Sequence, residues 1–337
     1  MKTGTSSPAA ASPEPLMDGC GRRIDHLRLS LTDCCNLACR YCSVTEHMGS
    51  RFMDAGFAVA LVRWMSGRYG IRYLRLTGGE PLLHPRLLEM VTALSALNTL
   101  EEITLTTNGQ TLGGQAHRLR QAGLTRVNIS LDTLVTERFA QITHGGTIAN
   151  TLQGIDASLA AQLSPVRLNV LVQRGFNDDE VPRLAEWGLT YGCTVRFLEV
   201  MPIGPMVDRL PSAFFPASAI LARLGNVFSL QPIQAPPGQP ATDYAAVSRN
   251  PSGPSGTIGV IASTSRPFCA RCRRLRITSA GEILSCLFVS EGSNLSTAWD
   301  GHFLNEEVAD EILQNAVRSK PAMGRQTRYT PMIAIGG

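Results

Sequence analysis

The sequence lacks any long hydrophobic run. Across its 337 residues, no stretch approaches the roughly 18 uninterrupted apolar residues that a membrane-spanning helix needs. Its start, MKTGTSSPAAASPEP, has no apolar segment of the kind found at the centre of a signal peptide. The net charge is small as well, at +4, and does not by itself indicate a nucleic-acid partner. We therefore expect a cytoplasmic protein that does not contact a membrane.

Cysteine, by contrast, is plentiful, and six of the nine cysteines form two groups of three. In a reducing compartment, clustered cysteines are more often metal ligands or catalytic groups than disulfides. A four-iron cluster held by only three thiolates keeps one iron open to a small molecule. The spacings are Cys-x3-Cys-x2-Cys and Cys-x2-Cys-x13-Cys, formed by Cys35, Cys39 and Cys42 and by Cys269, Cys272 and Cys286. This pattern predicts an enzyme with two open iron-sulfur clusters facing one cavity.

Short β-rich runs alternate with segments of helical periodicity over most of the chain. The predicted strands are 27–31, 73–77, 102–108, 126–132, 166–172 and 194–200, and the helical segments include 54–69, 85–97, 113–122 and 178–191. Six strand-helix units predict an α/β fold, a partial (βα)6 TIM barrel with one open side. We expect a flexible tail at 1–22, the barrel at 23–210, and a C-terminal region at 211–337 that carries the second cysteine group and covers the open side.

Several other interpretations of the cysteines and arginines remain open from spacing alone. Cys34 with Cys39 and Cys42 matches the Cys-x4-Cys-x2-Cys of plant-type two-iron ferredoxins. His47 or His302 could complete a tetrahedral zinc site with one of the two cysteine groups. Five arginines between 266 and 276 form a basic patch, but no aromatic stacking platform accompanies it, so we expect no nucleic-acid partner.

An aromatic residue, Tyr41, precedes the third cysteine of the first group. The resulting Cys-x3-Cys-x-aromatic-Cys pattern resembles that of radical S-adenosylmethionine (SAM) enzymes. This resemblance implies that the free iron of a [4Fe-4S] cluster binds SAM and that the reduced cluster generates a 5′-deoxyadenosyl radical. It also implies four contacts to the bound cofactor, from Tyr41, Gly79, Ser130 and Met201.

The segment 268–288, FCARCRRLRITSAGEILSCLF, is similar to the substrate-cluster segment of the GTP 3′,8-cyclase family of molybdenum cofactor biosynthesis. Further similar segments occur in the expected order, including LRLTGGEPLL, TTNG, AGLTRVNISLD and RFLEVMP. The resemblance implies a lyase in which the second [4Fe-4S] cluster binds the guanine of GTP. It also implies an external electron donor, a downstream synthase that forms cyclic pyranopterin monophosphate, and a possible homodimer.

A triphosphate requires several guanidinium groups, which offer fixed sets of donors to phosphate oxygens. By matching positions, the resemblance implies GTP contacts from Arg28, Arg75, Thr106, Arg167, Arg274, Leu275 and Arg276, and a catalytic tail formed by Gly336 and Gly337. The chain departs from the family pattern at Cys34, Ser43, Val44, Arg167 and Arg273. A radical enzyme that acts on a peptide or another cofactor precursor is the rival hypothesis, as is a non-catalytic zinc protein.

Overall fold

The computed structural model describes residues 13–42, 50–234, 238–289, 292–324 and 327–336. Its strands are β1 His26–Ser30, β2 Tyr73–Thr77, β3 Glu102–Thr107, β4 Arg126–Ser130, β5 Arg167–Val172, β6 Thr194–Glu199, β7 Phe228–Ile233, β8 Thr242–Ser248, β9 Ser255–Ile261, β10 Arg274–Ile277, β11 Glu282–Leu284 and β12 Ser293–Asn294. Its helices are α1 Ala55–Tyr69, α2 Leu87–Ser95, α3 Ala116–Gln121, α4 Thr136–Thr143, α5 Ile148–Ala160, α6 Val181–Thr190, α7 Met206–Ala213, α8 Ala217–Gly225, α9 Glu306–Arg318 and α10 Met332–Ile335.

The six predicted strands are present as β1 to β6 and pair in parallel, each with the next along the chain. Their side chains alternate, as in β1, where Leu27 and Leu29 are buried in the hydrophobic core and Arg28 lines an internal cavity. Helices separate successive strands, as parallel pairing requires. The prediction of an α/β partial barrel is confirmed.

The C-terminal region extends the sheet at both edges. Strand β9 pairs in parallel with β6, and β10 pairs in parallel with β1. The strand order is β12-β11-β10-β1-β2-β3-β4-β5-β6-β9-β8-β7, and no pairing among the described residues closes it into a ring. Strands from the C-terminal region therefore flank the six-stranded core on either side. The division of the chain at residue 210 remains a prediction.

The N-terminal segment joins the fold earlier than its composition indicated. Leu16 is in the hydrophobic core and only 2% exposed, and the buried Arg22 forms an ion pair with Asp18 over 2.6 Å. The predicted flexible tail is therefore wrong for residues 13–22, because a single large apolar side chain and a buried ion pair anchor this segment. Residues 1–12 lie outside the described part of the chain.

After residue 211, both α8 and α9 pack against the sheet. Alanine, leucine and valine side chains of α9, including Ala309, Leu313 and Val317, are buried in the core. Among the described helices, none is long and apolar enough to cross a membrane.

Candidate active site

The first cysteine group lies in the loop between β1 and α1. Cys35, Cys39 and Cys42 all line one cavity of about 300 Å³ on the inner face of the sheet. Burial raises the pKa of Cys35 to about 11 and that of Cys42 to about 12, so these thiols stay protonated unless a cation binds them. Cys34, the alternative ligand of the ferredoxin interpretation, is buried and is not part of the described cavity lining. The geometry favours Cys35 as the ligand.

Two glycines after β2 allow the cysteine loop to pack closely. The Gly79 N–H donates to Thr32 O at 2.7 Å, and the Glu80 N–H donates to Cys34 O at 2.7 Å. A Cβ atom on Gly79 would lie 2.2 Å from Cys34 O, so no side chain fits there. The predicted SAM contact, Gly79, lines the cavity. Position 79 must lack a side chain because the backbone of the cysteine loop lies so close to it.

Glu80 ties this turn to the loop that follows β3. Its carboxylate accepts hydrogen bonds from Leu82 N at 3.0 Å, Thr107 Oγ1 at 2.7 Å and Asn108 N at 2.7 Å. Burial raises the pKa of Glu80 to about 7 despite these hydrogen bonds. Glu80 therefore connects the turn after β2 to the loop after β3, a role that only the structure shows.

Tyr41, Ser130 and Met201, the other predicted SAM contacts, line the same cavity. The Tyr41 hydroxyl donates to Asp132 Oδ2 at 2.8 Å, and Asp132 also accepts from Leu171 N at 2.7 Å. Burial raises the pKa of Asp132 to about 6. Asp132 therefore fixes the aromatic ring that follows Cys39, a function that its sequence position alone did not assign.

Many of the other residues that line this cavity are arginines, and we call this part of the lining the arginine wall. Of the predicted GTP contacts, five line it, namely Arg28, Arg75, Thr106, Arg274 and Arg276. Arg196 of β6 lines it too, although we had not assigned it. Arg167, one strand earlier, is absent from the described lining, and the side chain of Leu275 is fully buried in the core on the other face of β10. A contact of Leu275 with a ligand would have to use its backbone.

The positively charged arginines of this wall lie close to one another. The pKa of Arg28 is lowered by burial and by the neighbouring Arg276 and Arg75. Burial lowers the pKa of Arg276 to about 10, and Arg274 adds to the effect. A bound anion would relieve this repulsion, so the wall is electrostatically suited to a polyanion such as a triphosphate.

Several donors on this wall have no partner. Thr106 Oγ1, Arg196 Nε and Arg274 Nη2 are buried and form no hydrogen bond within the described residues. Leaving a buried polar atom unpaired is unfavourable, so each such atom needs a physical explanation. These atoms fit an anionic ligand that accepts several hydrogen bonds.

The second cysteine group lies beside the arginine wall. Cys269 and Cys272 belong to a short turn just before β10, and Cys286 follows β11. Burial raises the pKa of Cys272, but the positive charges of Lys320 and Arg274 outweigh this effect and the net direction is downward. Phe268, Arg274 and Leu287, which flank these cysteines, line the cavity, but Cys269, Cys272 and Cys286 themselves are not in the described lining, so the expectation that both groups face one cavity remains a prediction. Three thiols in a cationic environment suit an anionic cluster.

Within the described ranges, no three His, Cys, Asp or Glu side chains are arranged as ligands of a single metal ion.

Arg273, the residue beside Cys272 that departs from the family pattern, forms an ion pair with the buried Asp25 and is not in the described cavity lining. Gly336 lies against Ser30 at the end of β1, and its partner in the predicted tail, Gly337, lies outside the described residues. His47, Ser43 and Val44 also lie outside the described residues.

Two protein families match this chain. The Radical SAM superfamily matches residues 29–188, which cover the cysteine loop, the end of β1 and strands β2 to β5. The family described as Molybdenum Cofactor Synthesis C matches residues 193–325, which include β6 and the second cysteine group.

Among solved structures, Streptococcus suis SuiB bound to S-adenosylmethionine is similar in fold, with a TM-score of 0.59 and 13% identity over 88% of this chain and 68% of that one. Among related proteins, the GTP 3′,8-cyclase of Moorella thermoacetica is 40% identical over 85% of each chain. The GTP 3′,8-cyclase of Mycolicibacterium smegmatis is 37% identical over 99% of this chain and 96% of its own. The chain therefore belongs to the GTP 3′,8-cyclase family of radical SAM enzymes.

Proposed function

We propose that this chain converts GTP to (8S)-3′,8-cyclo-7,8-dihydroguanosine 5′-triphosphate, the first step of molybdenum cofactor biosynthesis. Family membership supports the reaction. The observation that carries the assignment is the set of unpaired buried donors on the arginine wall, which faces the cavity that Cys35, Cys39 and Cys42 also line.

Two [4Fe-4S] clusters and SAM are the cofactors of this chemistry. Cys35, Cys39 and Cys42 would hold the first cluster, and Cys269, Cys272 and Cys286 would hold the second. A cluster and SAM held there would supply the radical chemistry that abstracts the ribose 3′ hydrogen of GTP, and formation of the C3′–C8 bond and the 7,8-dihydro product would require one further electron and a proton.

The protein's own residues bind and orient the two small molecules. Tyr41, whose hydroxyl donates to Asp132, would contact SAM together with Gly79, Ser130 and Met201, all of which line the cavity. Arg28, Arg75, Thr106, Arg196, Arg274 and Arg276 line the same cavity and would bind the triphosphate and ribose of GTP. A radical that abstracts hydrogen from most neighbours needs its target held close and water kept away, which an internal cavity provides.

The partners follow from the chemistry of the reaction. An external one-electron donor must reduce the first cluster, and a synthase that forms cyclic pyranopterin monophosphate would consume the product. We place both in the cytoplasm with this enzyme and expect a homodimer.

The test is anaerobic purification followed by product analysis. We expect about eight irons per chain and acid-labile sulfide, since each of two cubane clusters holds four irons. With dithionite, SAM and GTP, the protein should form 5′-deoxyadenosine and a cyclised nucleotide. Cys35→Ser should abolish both, while Cys20→Ser, a change at an exposed cysteine outside both groups, should not. Formation of 5′-deoxyadenosine that does not depend on GTP, with no nucleotide product, would refute the substrate assignment.

A further inference from the structure

Lysine is almost absent from this protein. Of its 31 basic residues, only Lys2 and Lys320 are lysines, and all others are arginines. Even position 167, where the family pattern has lysine, carries arginine. Lys2 lies outside the described residues, so Lys320 is the one lysine that the structure places. An ammonium is a compact point charge with three donors, whereas a guanidinium is a wide planar fork.

Lys320 lies just after α9 and is only 4% exposed. Its Nζ donates to Arg274 O at 2.8 Å and also to Ser285 O. Arg274 follows Cys272 by two residues, and Ser285 immediately precedes Cys286. One ammonium therefore joins the two chain segments that carry these cysteines.

The neighbouring residues reach the third cysteine. Arg22 Nη1 donates to Cys269 O at 2.8 Å, and Arg22 Nη2 donates to Pro321 O at 2.8 Å. The charge of Arg22 is balanced by Asp18, with Nε and Oδ2 2.6 Å apart. The segment that starts at Lys320 thus contacts all three cysteine-bearing segments, directly or through Arg22.

The charge of Lys320 has no such partner. Among the ion pairs of the described residues, none joins an Asp or Glu carboxylate to Lys320. A buried ammonium without a counter-charge is strongly unfavourable. Its hydrogen bonds to Arg274 O and Ser285 O place the ammonium between the segments that carry Cys272 and Cys286. We therefore infer that its negative counter-charge comes from the thiolates of these cysteines and from what they bind.

We propose that Lys320 is a positioning residue of the second cluster, which holds the Cys272 and Cys286 segments together and balances the charge of the thiolate-bound cluster. When dithionite donates one electron to this cluster, the cluster gains one negative charge. A fixed cation beside the sulfurs favours that reduced form and raises the reduction potential. The inference rests on the proposed function only through the presence of the second cluster.

The experiment isolates the second cluster in the full-length chain through the triple change Cys35→Ser, Cys39→Ser and Cys42→Ser. Lys320→Met then removes the charge with little change in length, and Lys320→Arg keeps it. Arg318→Met is the matched control, because Arg318 lies two residues before Lys320 and its charged side chain is exposed. Iron content, melting temperature and the midpoint potential from an anaerobic redox titration followed by EPR are measured for each variant.

We expect Lys320→Met to lower the equilibrium constant for one-electron reduction at least roughly tenfold, a fall of about 59 mV in midpoint potential. Lys320→Arg and Arg318→Met should stay close to the parent. Loss of the cluster in Lys320→Met alone, with Lys320→Arg retaining cluster and potential, would equally support a need for the charge. An unchanged potential in Lys320→Met, or cluster loss in both Lys320 variants, would overturn the proposal. The proposed function is tested separately, by cyclase assays on the unsubstituted protein. The outcome of those assays does not depend on any Lys320 variant.

Discussion

Arg276 holds the C-terminal segment at the cavity, because its Nη1 donates to the carbonyl oxygen of Gly336 at 2.6 Å. Arg276 itself lines the cavity. Four residues before Gly336, the Met332 N–H donates to Cys42 O at 3.1 Å. The end of the chain therefore contacts both the first cysteine loop and the arginine wall. This placement supports the predicted role of the tail in catalysis.

Substitution of Gly336 should impair turnover without affecting the clusters. Its φ of 73° disfavours a side chain, and a Cβ atom would lie 2.7 Å from Ser30 Cβ. We expect Gly336→Ala to lower kcat/KM by roughly tenfold or more, since strain of this kind costs about 1 to 3 kcal/mol. Gly21→Ala is the matched control, because Gly21 has the same φ with no atom within 4 Å of its Cβ position. Equal effects of the two changes on kcat/KM would contradict this role.

Removal of the Arg274 guanidinium should weaken GTP binding. A charge-assisted hydrogen bond contributes about 2 kcal/mol, so Arg274→Met should raise the Kd for GTP roughly 30-fold. Arg86→Met, at an exposed arginine paired with Glu89 on α2, should leave the Kd unchanged. Equilibrium binding under anaerobic conditions measures the effect, and iron content should stay constant. A collapse of iron content in Arg274→Met would show that its main role is structural.

Thr106→Val should have opposite effects on stability and binding. The buried Thr106 hydroxyl has no hydrogen-bond partner among the described residues, so its replacement by a methyl group removes an unfavourable buried polar atom. We expect the melting temperature of the ligand-free protein to stay constant or rise, while the affinity for GTP falls by about 1 kcal/mol, roughly fivefold. A fall in both quantities would mean that Thr106 has a structural partner instead of a ligand.

The pH dependence of stability should reflect Glu80. Its native pKa is about 7 against an ordinary value of 4.5, so between these pH values the native state binds more protons than the unfolded state. The free energy of unfolding therefore falls as pH rises through this window, by about 3 kcal/mol in total. Glu80→Gln cannot titrate and should flatten the slope, although Asp132 would keep part of it below pH 6. Chemical denaturation of the metal-free chain measures this.

The matched control for Glu80 is Glu89→Gln, at an exposed glutamate on α2. It should retain the parent slope of the free energy of unfolding against pH. An identical slope in Glu80→Gln and Glu89→Gln would show that the Glu80 carboxyl does not titrate in this range.

Arg273, the residue that departs from the family pattern beside Cys272, should matter for stability more than for substrate binding. It pairs with Asp25, whose side chain is buried, and hydrogen bonds from His26 and Arg273 outweigh burial to lower the pKa of Asp25. We expect Arg273→Asn to lower the free energy of unfolding at pH 7 by about 2 kcal/mol, because it leaves a buried carboxylate underpaired. The added change Asp25→Asn should recover part of that loss. No recovery in the double variant would exclude the ion pair as the cause.

Much of the fold followed from local patterns. Strands such as β2 and β5 were predicted to within one residue, because apolar side chains at every second position, as at Leu74 and Leu76 of β2, are typical of strands. The packed segment around Leu16 was missed, since an Ala-, Ser- and Pro-rich composition does not show where one leucine finds the core. The pairing of β9 and β10 with the two edges of the core sheet joins residues far apart in sequence, which no local pattern encodes.

The site divides in the same way. Cysteine spacing predicted two clusters from the sequence alone, and the resemblance to the cyclase family implied a triphosphate substrate bound by arginines. Only the tertiary structure showed that Arg196 is part of the described cavity lining and that Arg167 is not. It also showed that Asp132 accepts a hydrogen bond from Tyr41 and that Glu80 accepts one from the loop after β3. It also showed that the buried Lys320 spans two cysteine segments. The reason is physical: spacing determines which ligands are available, but burial, charge pairing and the approach of distant segments depend on how the chain packs.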